Sequence, residues 1–396
     1  MKIHSKAVHS GDRKPAGSHI PVTTPIYTAA SYFYGSIETI DRIFGHEQEG
    51  FAYQRYDNPT NAALEELITD LEGGFGSLAS GSGMASLHVA LTAALHNRRK
   101  MILCAEAIYG ATIRMLQNLF EPLGVEVAYA DVFDLDGLRR TVAERKPGCL
   151  LIETISNPLL RVADVPAIAE ISRAAGAALI VDNTFATPMM VRPLELGAHF
   201  SVHSATKYLA GHGDVLGGLV TAGEEHFETL RALSRSYGPV MGPFEAYLTM
   251  RGVKTFPLRF ERQCANAALL AKWLRAQPQV ERVFYPGDGA HPDASVIRRL
   301  FPAGLYGGMV SFEIRGADKQ RIFQFINSLK MIVPATSLGD VHSMLLYPVM
   351  SSHREVPLEM REQRMGIREN LVRLSAGIED FEDIAADLGQ ALKAVC

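Results

Sequence analysis

Two residues twenty-five positions apart carry the clearest chemical signal in the sequence. Asp182 closes the apolar run AALIVDN, and Lys207 follows the run FSVH within Ser204-Ala205-Thr206-Lys207. A carboxylate at the carboxyl end of a buried parallel strand lies in the crevice where ligands bind. Lys207 is flanked by Ala205, Tyr208, Leu209 and Ala210, with no acidic neighbour in sequence. Desolvation disfavours an ammonium, lowers its pKa and leaves an amine able to act as a nucleophile. An SxTK segment alone suits a surface lysine at a strand end equally well. The pairing with Asp182 tips the balance.

A third feature adds an anion site. Ser80-Gly81-Ser82-Gly83-Met84 opens a helix, whose free backbone N–H groups and dipole favour negative charge. Ser204 and Thr206 put two hydroxyls beside the lysine. Together these meet the needs of pyridoxal phosphate (PLP): a lysine for its aldehyde, an acid near the pyridine nitrogen, and donors for its phosphate. The acid keeps that nitrogen protonated, so the ring can accept electrons. Rival motifs are weaker. Ser204-x-x-Lys207 matches a penicillin-binding pattern, but no SDN or KTG follows; Gly81-x-Gly83 lacks the third glycine of a dinucleotide fingerprint, position 86 being serine. His199, His203 and His212 suggest a metal only on paper. The first two are four apart on a strand and face one side without helical convergence, so no metal site is expected.

The elements that must position these residues can be read from periodicity. NAALEELITDLE is an amphipathic helix closed by Gly73-Gly74, and GMASLHVALTAALH is a second, opened by Ser82 and Gly83. Short apolar runs follow, MILCAE, VEVAYA, CLLIET, ALIVDN, FSVHS and GGLVTA, separated by helical segments such as GATIRMLQNLF, DLDGLRRTVAER and VPAIAEISRAAG. Strands joined by helical crossovers imply an α/β fold, a mainly parallel sheet with helices on both faces. Residues 1–60, rich in Pro, Gly, Tyr, Ser and Thr, read as an extended arm. Residues 241–278 read as largely helical, and 279–396 mix strands and helices as a smaller α+β unit. The breaking proline in RGVKTFPLR marks the boundary, giving an arm at 1–60, a large domain at 61–255 and a small domain at 256–396.

Composition excludes several classes. The 396 residues are 47% hydrophobic and 21% charged, with a net charge of −4, so neither nucleic acid nor a disordered chain is indicated. No apolar run approaches the length of a membrane helix, and the first residues lack a signal-peptide core. Cys104, Cys149, Cys264 and Cys396 are widely separated, which suits a reducing cytoplasm and no disulfide framework.

With these motifs in hand, the chain resembles the Cys/Met-metabolism (trans-sulfuration) PLP enzymes of aminotransferase-like fold type I, from about Ala7 to Leu392. The resemblance is carried by YQRYDNPT at 53–60, LEGG at 71–74, SGMAS at 82–86, IYGAT at 108–112, ETISNPLLRVAD at 153–164, VDNTFATP at 181–188, HSATKYLAGHGD at 203–214, SLGD at 337–340 and LVRLSAGIED at 371–380. It implies that Lys207 is the Schiff-base lysine and proton shuttle. Tyr109 would stack on the cofactor ring and act as acid or base toward the leaving group. Asp182 would pair with the pyridine nitrogen, and Gly83, Met84, Ser204 and Thr206 would hold the phosphate. Asn157 would stand near the cofactor oxygen and the substrate. Arg373 would grip the substrate α-carboxylate with help from the Ser337 region. Tyr53 and Arg55 would reach the phosphate of a neighbouring subunit's cofactor, which implies a homo-oligomer, at least a dimer and usually a tetramer. Read without the resemblance, Tyr53 and Arg55 suit a solvated turn and Arg373 a surface strand.

The family divides by reaction. Its members include cystathionine γ-lyases, γ-synthases and β-lyases, methionine γ-lyases and homoserine-ester sulfhydrylases. Arg114 occupies the place where cystathionine-handling members carry an arginine for a distal carboxylate. Methionine γ-lyases usually have Cys after the Tyr-Gly and a Lys-Asp pair in a later loop; here stand Ala111 and Arg235-Ser236. Many members carry a glutamate where this chain has His342, at the substrate's distal end. The resemblance therefore points to γ-elimination of cystathionine, with γ-replacement on an activated homoserine ester, or methionine as substrate, as alternatives.

Overall fold

Apolar runs of five residues cannot bury a helical stripe, but they can pair. The computed structural model describes residues 1–15, 18–354, 356 and 358–395. In it the runs form one seven-stranded sheet: β1 (Gly76–Ser80), β2 (Met101–Ala105), β3 (Glu126–Ala130), β4 (Cys149–Glu153), β5 (Ala178–Asp182), β6 (Phe200–Ser204) and β7 (Gly218–Ala222). Their order is β1-β7-β6-β5-β4-β2-β3. β7 runs antiparallel to both neighbours and every other pairing is parallel. Strands β2, β4 and β7 are buried throughout, as expected where helices cover both faces.

The register places the chemistry. Glu153 lies opposite Asp182, Asp182 opposite Val202, and Ser204 opposite Gly218. The carboxyl ends of β4, β5 and β6 thus open on one side, where a ligand crevice is expected. β1 escaped the sequence reading because GSLAS lacks bulky strand formers. Its pairing with β7, from Gly76 with Ala222 to Ser80 with Gly218, makes it a strand.

Local signals explain the flanking helices. Asn58 caps the helix Pro59–Glu72 by accepting from the Thr60 N–H, and Gly73 closes it with φ 69°. Ser82 caps Gly83–Leu95, its hydroxyl accepting from the Ala85 N–H at 3.1 Å. One sheet face packs on Leu64, Leu67 and Ile68 of the first helix, together with Ala79 and Leu219. The other packs on Leu87, Ala90 and Leu91 of the second, with Phe200, Val202 and Val220. The run GATIRMLQNLF departs from a plain helix: α-helix Gly110–Met115 passes into a π turn at Leu116–Phe120.

A second sheet holds β8 (Val280–Phe284), β9 (Met309–Ile314), β10 (Val333–Pro334), β11 (Met344–Leu346) and β12 (Leu371–Ser375), in the order β10-β11-β12-β9-β8. It shares a core with the helices Phe256–Arg275 and Phe381–Lys393. The division proposed at 255/256 falls between the helices Pro243–Val253 and Phe256–Arg275, with Pro257 in the first turn of the latter. Among the described residues of the first 58 stand two short helices, Ile3–His9 and Ile37–Phe44. Cys104, Cys149 and Cys264 are free and buried, while Cys396 lies outside the described residues. Among the described residues no helix is long and apolar enough to cross a membrane.

Candidate active site

A cavity of about 390 Å³ opens beyond the ends of β4, β5 and β6. Its wall includes Gly83, Met84, Tyr109, Arg114, Asn157, Asp182, Ser204, Thr206, Lys207 and Arg373, brought together from distant stretches of sequence. Ser337 joins them by a bond rather than as wall, its Oγ accepting from Lys207 Nζ at 2.9 Å.

Lys207 stands in the turn after β6, with Ala205, Leu209 and Ala210 buried about it. Burial, and then the nearby Arg373 guanidinium, push its ammonium down to about 8. Asp182 ends β5, and one of its oxygens accepts from the Thr184 N–H at 3.0 Å. Burial pushes its carboxyl above the usual range, against the pull of the Thr184 bonds and of His203.

Arg373 overturns the surface-strand reading. It lies in the middle of β12, 3% exposed, and burial pushes its guanidinium down to about 10. Nη1 donates to Asn157 Oδ1 at 2.7 Å and Nη2 to the Ser337 carbonyl at 3.2 Å. Its Nε is buried without a partner, a donor that an incoming carboxylate can satisfy.

The anion end is built from backbone. The first N–H groups of Gly83–Leu95 have no acceptor within the helix. A Cβ on Gly83 would sit 3.0 Å from both Cα and Cβ of Ser204, so glycine lets the helix start press against β6. Thr206 Oγ1 accepts from the Gly217 N–H at 3.0 Å and donates to its carbonyl at 3.3 Å. An anion cradle, a strand-end acid and a desolvated lysine therefore share one cavity of ligand size. The residues fit PLP: Gly83, Met84, Ser204 and Thr206 would hold its phosphate, Asp182 would face its ring nitrogen and Lys207 would meet its aldehyde.

Other expectations fall elsewhere. Tyr53, 45% exposed, and Arg55 do not line this cavity. The Arg55 guanidinium lies 4.6 Å from the Tyr56 ring centre and donates to the Arg235 carbonyl, beside a separate groove. Arg235 belongs to the helix Glu224–Tyr237 and lines that groove, not the cavity. His342 pairs with Asp340 at 3.3 Å and is absent from the cavity wall. The three histidines do not converge: His203 bonds Glu72, the His199 ring meets His226, and His212 bonds the Ala210 carbonyl.

Sequence reasoning missed Glu153, Thr184, Phe185, Thr336, Leu338, Leu346, Ser351 and Ser352, which also line the cavity. Glu153 carried a usable signal, since it closes the buried run CLLIE as Asp182 closes ALIVD. Ser351 and Ser352 lie in a stretch without periodicity and reach the site through tertiary contact. A Cβ on Gly110 would come 2.2 Å from the Ser352 carbonyl oxygen. A larger cleft of about 680 Å³ lies beyond Asn157, but it has no lysine in its wall, and its Arg275 pairs with Asp288 of the same wall. Chemistry favours the smaller cavity.

Comparison with known proteins identifies the family. The family model described as Cys/Met metabolism PLP-dependent enzyme matches residues 4–393. The cystathionine beta-lyase of Lactococcus lactis subsp. cremoris (strain MG1363) is 38% identical over 394 residues, 99% of each chain. The cystathionine gamma-lyase of Bacillus subtilis (strain 168) is 38% identical over 397 residues, 99% of this chain and 100% of that one. A crystal structure of cystathionine gamma synthase from Xanthomonas oryzae pv. oryzae, in complex with aminoacrylate and cysteine, superposes with a TM-score of 0.92 at 33% identity. That match covers 100% of this chain and 98% of the other. Matched along nearly its whole length, the chain belongs to the Cys/Met-metabolism family of PLP-dependent enzymes, and PLP is its cofactor.

Proposed function

We propose that the protein catalyses γ-elimination on sulfur-containing amino acids, cleaving cystathionine with one water to cysteine, 2-oxobutanoate and ammonia. One observation carries the choice of substrate: Arg114 and Arg373 line the same cavity as Lys207 and Tyr109. Cystathionine has an amino-acid group at each end, so two guanidinium groups suit its two carboxylates. Methionine has only one.

PLP, when bound, supplies an electron sink for the charge left at the substrate α carbon. The chain's own residues do the rest. Arg373, held by Asn157 and Ser337, receives the α-carboxylate. Lys207 Nζ, kept toward its neutral form by burial, takes the α proton and then a β proton, whose loss supplies the electron pair that expels the γ-sulfur. Tyr109 hands a proton to the departing sulfur, and Arg114 holds the far carboxylate. Asp182 supplies negative charge at the ring nitrogen.

Tyr53 and Arg55 belong to a second function in this reading. They reach the cofactor phosphate of a neighbouring copy in a cytoplasmic homo-oligomer, which accounts for their distance from their own cavity.

The likeness to a γ-synthase supports γ-replacement as a second reading, in which a thiol displaces the γ-substituent of an activated homoserine ester. Incubating the holoenzyme with cystathionine separates the cases. We expect 2-oxobutanoate and cysteine. Pyruvate and homocysteine would indicate β-elimination instead. No keto acid from cystathionine, with a thioether formed from activated homoserine and cysteine, would overturn the lyase reading in favour of replacement.

A further inference from the structure

We infer that Glu153 is a positioning residue, whose two carboxyl oxygens hold the main chains of Tyr109 and Asn157 at once and so fix the proton-donating ring relative to the arginine that receives substrate. This rests on the roles proposed above for Tyr109, Asn157 and Arg373.

Glu153 is the last residue of β4, 8% exposed, in the cavity wall. The Tyr109 N–H donates to its Oε1 at 2.8 Å, and the Asn157 N–H donates to its Oε2 at 3.1 Å. Tyr109 stands at the N-cap of Gly110–Met115, where an N–H has no acceptor within the helix. Asn157 Oδ1 in turn accepts from Arg373, whose other amino group donates to the Ser337 carbonyl; the Ser337 hydroxyl accepts from Lys207. Tyr109, Glu153, Asn157, Arg373, Ser337 and Lys207 therefore form one uninterrupted run of hydrogen-bonded residues. Glu153 is where two backbone segments meet in it.

In its ionised form a carboxyl side chain offers an acceptor to each of the two N–H donors, and they in turn favour that form. Glutamine has the same shape, but its amide nitrogen would face one of the two N–H donors, so that N–H would lose its acceptor and only the other would keep one. The choice of an acid carries a cost. Asp182 is its register partner on β5 and also buried, and burial with that neighbour pushes Glu153 up to about 8, against the pull of the two N–H donors and Arg373. Packing alone would not set two buried carboxyls side by side. The doubled acceptor explains why the second one is there.

The test compares wild-type, Glu153→Gln and Glu153→Asp holoenzymes in three readouts: thermal unfolding by circular dichroism, cystathionine turnover per bound cofactor, and L-serine binding followed by cofactor absorbance. For Glu153→Gln we expect retained fold and cofactor, a kcat lower by about ten- to a hundredfold, and L-serine affinity weaker by about tenfold. Glu153→Asp keeps two acceptors on a shorter arm and should recover part of kcat. Should Glu153→Gln fail to fold, the aspartate variant carries the test, with losses expected in the same two constants. Variants within about twofold of wild type in both constants, or less stable yet unchanged in both, would overturn the inference. If wild type makes no 2-oxobutanoate while Glu153→Gln still weakens L-serine binding, the proposed reaction fails and the positioning role stands.

Discussion

Beyond the ends of β4, β5 and β6, polar side chains hold one another: Lys207 on Ser337, Arg373 on Asn157, and the backbone of Asn157 and Tyr109 on Glu153. Residues 1–58 are built on other terms. Phe33 is 92% exposed, and Val22, Ile37 and Phe44 are exposed with it, while Arg55 stacks on Tyr56 instead of entering a cavity. One motif set names residues in both regions. The crevice is assembled inside a single chain, whereas the arm leaves apolar surface uncovered, surface that the proposed homo-oligomer would cover.

The comparison can be broken or sharpened by mutation. The largest effect is expected in the crevice. Arg373→Ala removes the buried guanidinium and its charge-assisted bonds to a carboxylate, and should lower kcat/KM by about a hundred- to a thousandfold in steady-state kinetics. Unchanged kcat/KM would remove Arg373 from the site.

A second prediction concerns pH. His353 is fully buried, hydrogen-bonded through Nδ1 to Ser352 of the cavity wall, and burial pushes its imidazole down to about 4. A histidine whose folded pKa lies below its unfolded value of ~6.5 contributes full stability above that value. The contribution is lost as pH falls from ~6.5 toward 4, because the unfolded chain binds the proton first. Over that range the loss amounts to about 3 kcal/mol. Denaturant unfolding of His353→Gln at pH 7.5 and pH 4.5 should show a correspondingly smaller acid loss than wild type. An equal loss would contradict the buried neutral ring.

The arm supplies the third test. In the proposed assembly, Arg55→Ala weakens cofactor affinity by about tenfold or more by removing a charge-assisted bond to phosphate, with the far-UV spectrum unchanged. Equilibrium dialysis with PLP, beside sedimentation to report the oligomer, reads both. If cofactor affinity stays unchanged, the arm is separate from the site. The smallest effect is assigned to Arg114→Ala, which should raise KM for cystathionine by about tenfold and leave kcat close to wild type. Equal effects on a substrate lacking the distal carboxylate would argue against that contact.

Much of the crevice was legible because backbone rules place it. A strand-end carboxylate, a lysine in an apolar turn and a capped helix start each declare themselves locally, so Asp182, Lys207 and Gly83 could be found from the residues alone. Tyr109 and Asn157 needed the family resemblance, since nothing local distinguishes them. Arg373 also needed the resemblance: from the residues alone it reads as a surface charge, because β12 lies far along the chain and its burial depends on a second sheet folding against the first. β1 stayed hidden for a similar reason: GSLAS becomes a strand only when β7 arrives beside it. Glu153 obeys the same strand-end rule as Asp182, but no cofactor atom calls for a second acid there.

The account depends most on where PLP is held. Borohydride reduction of the purified holoenzyme, followed by proteolysis and mass spectrometry, should leave the pyridoxyl group on the peptide containing Lys207 and on no other. A label on a different lysine, or none, would contradict it.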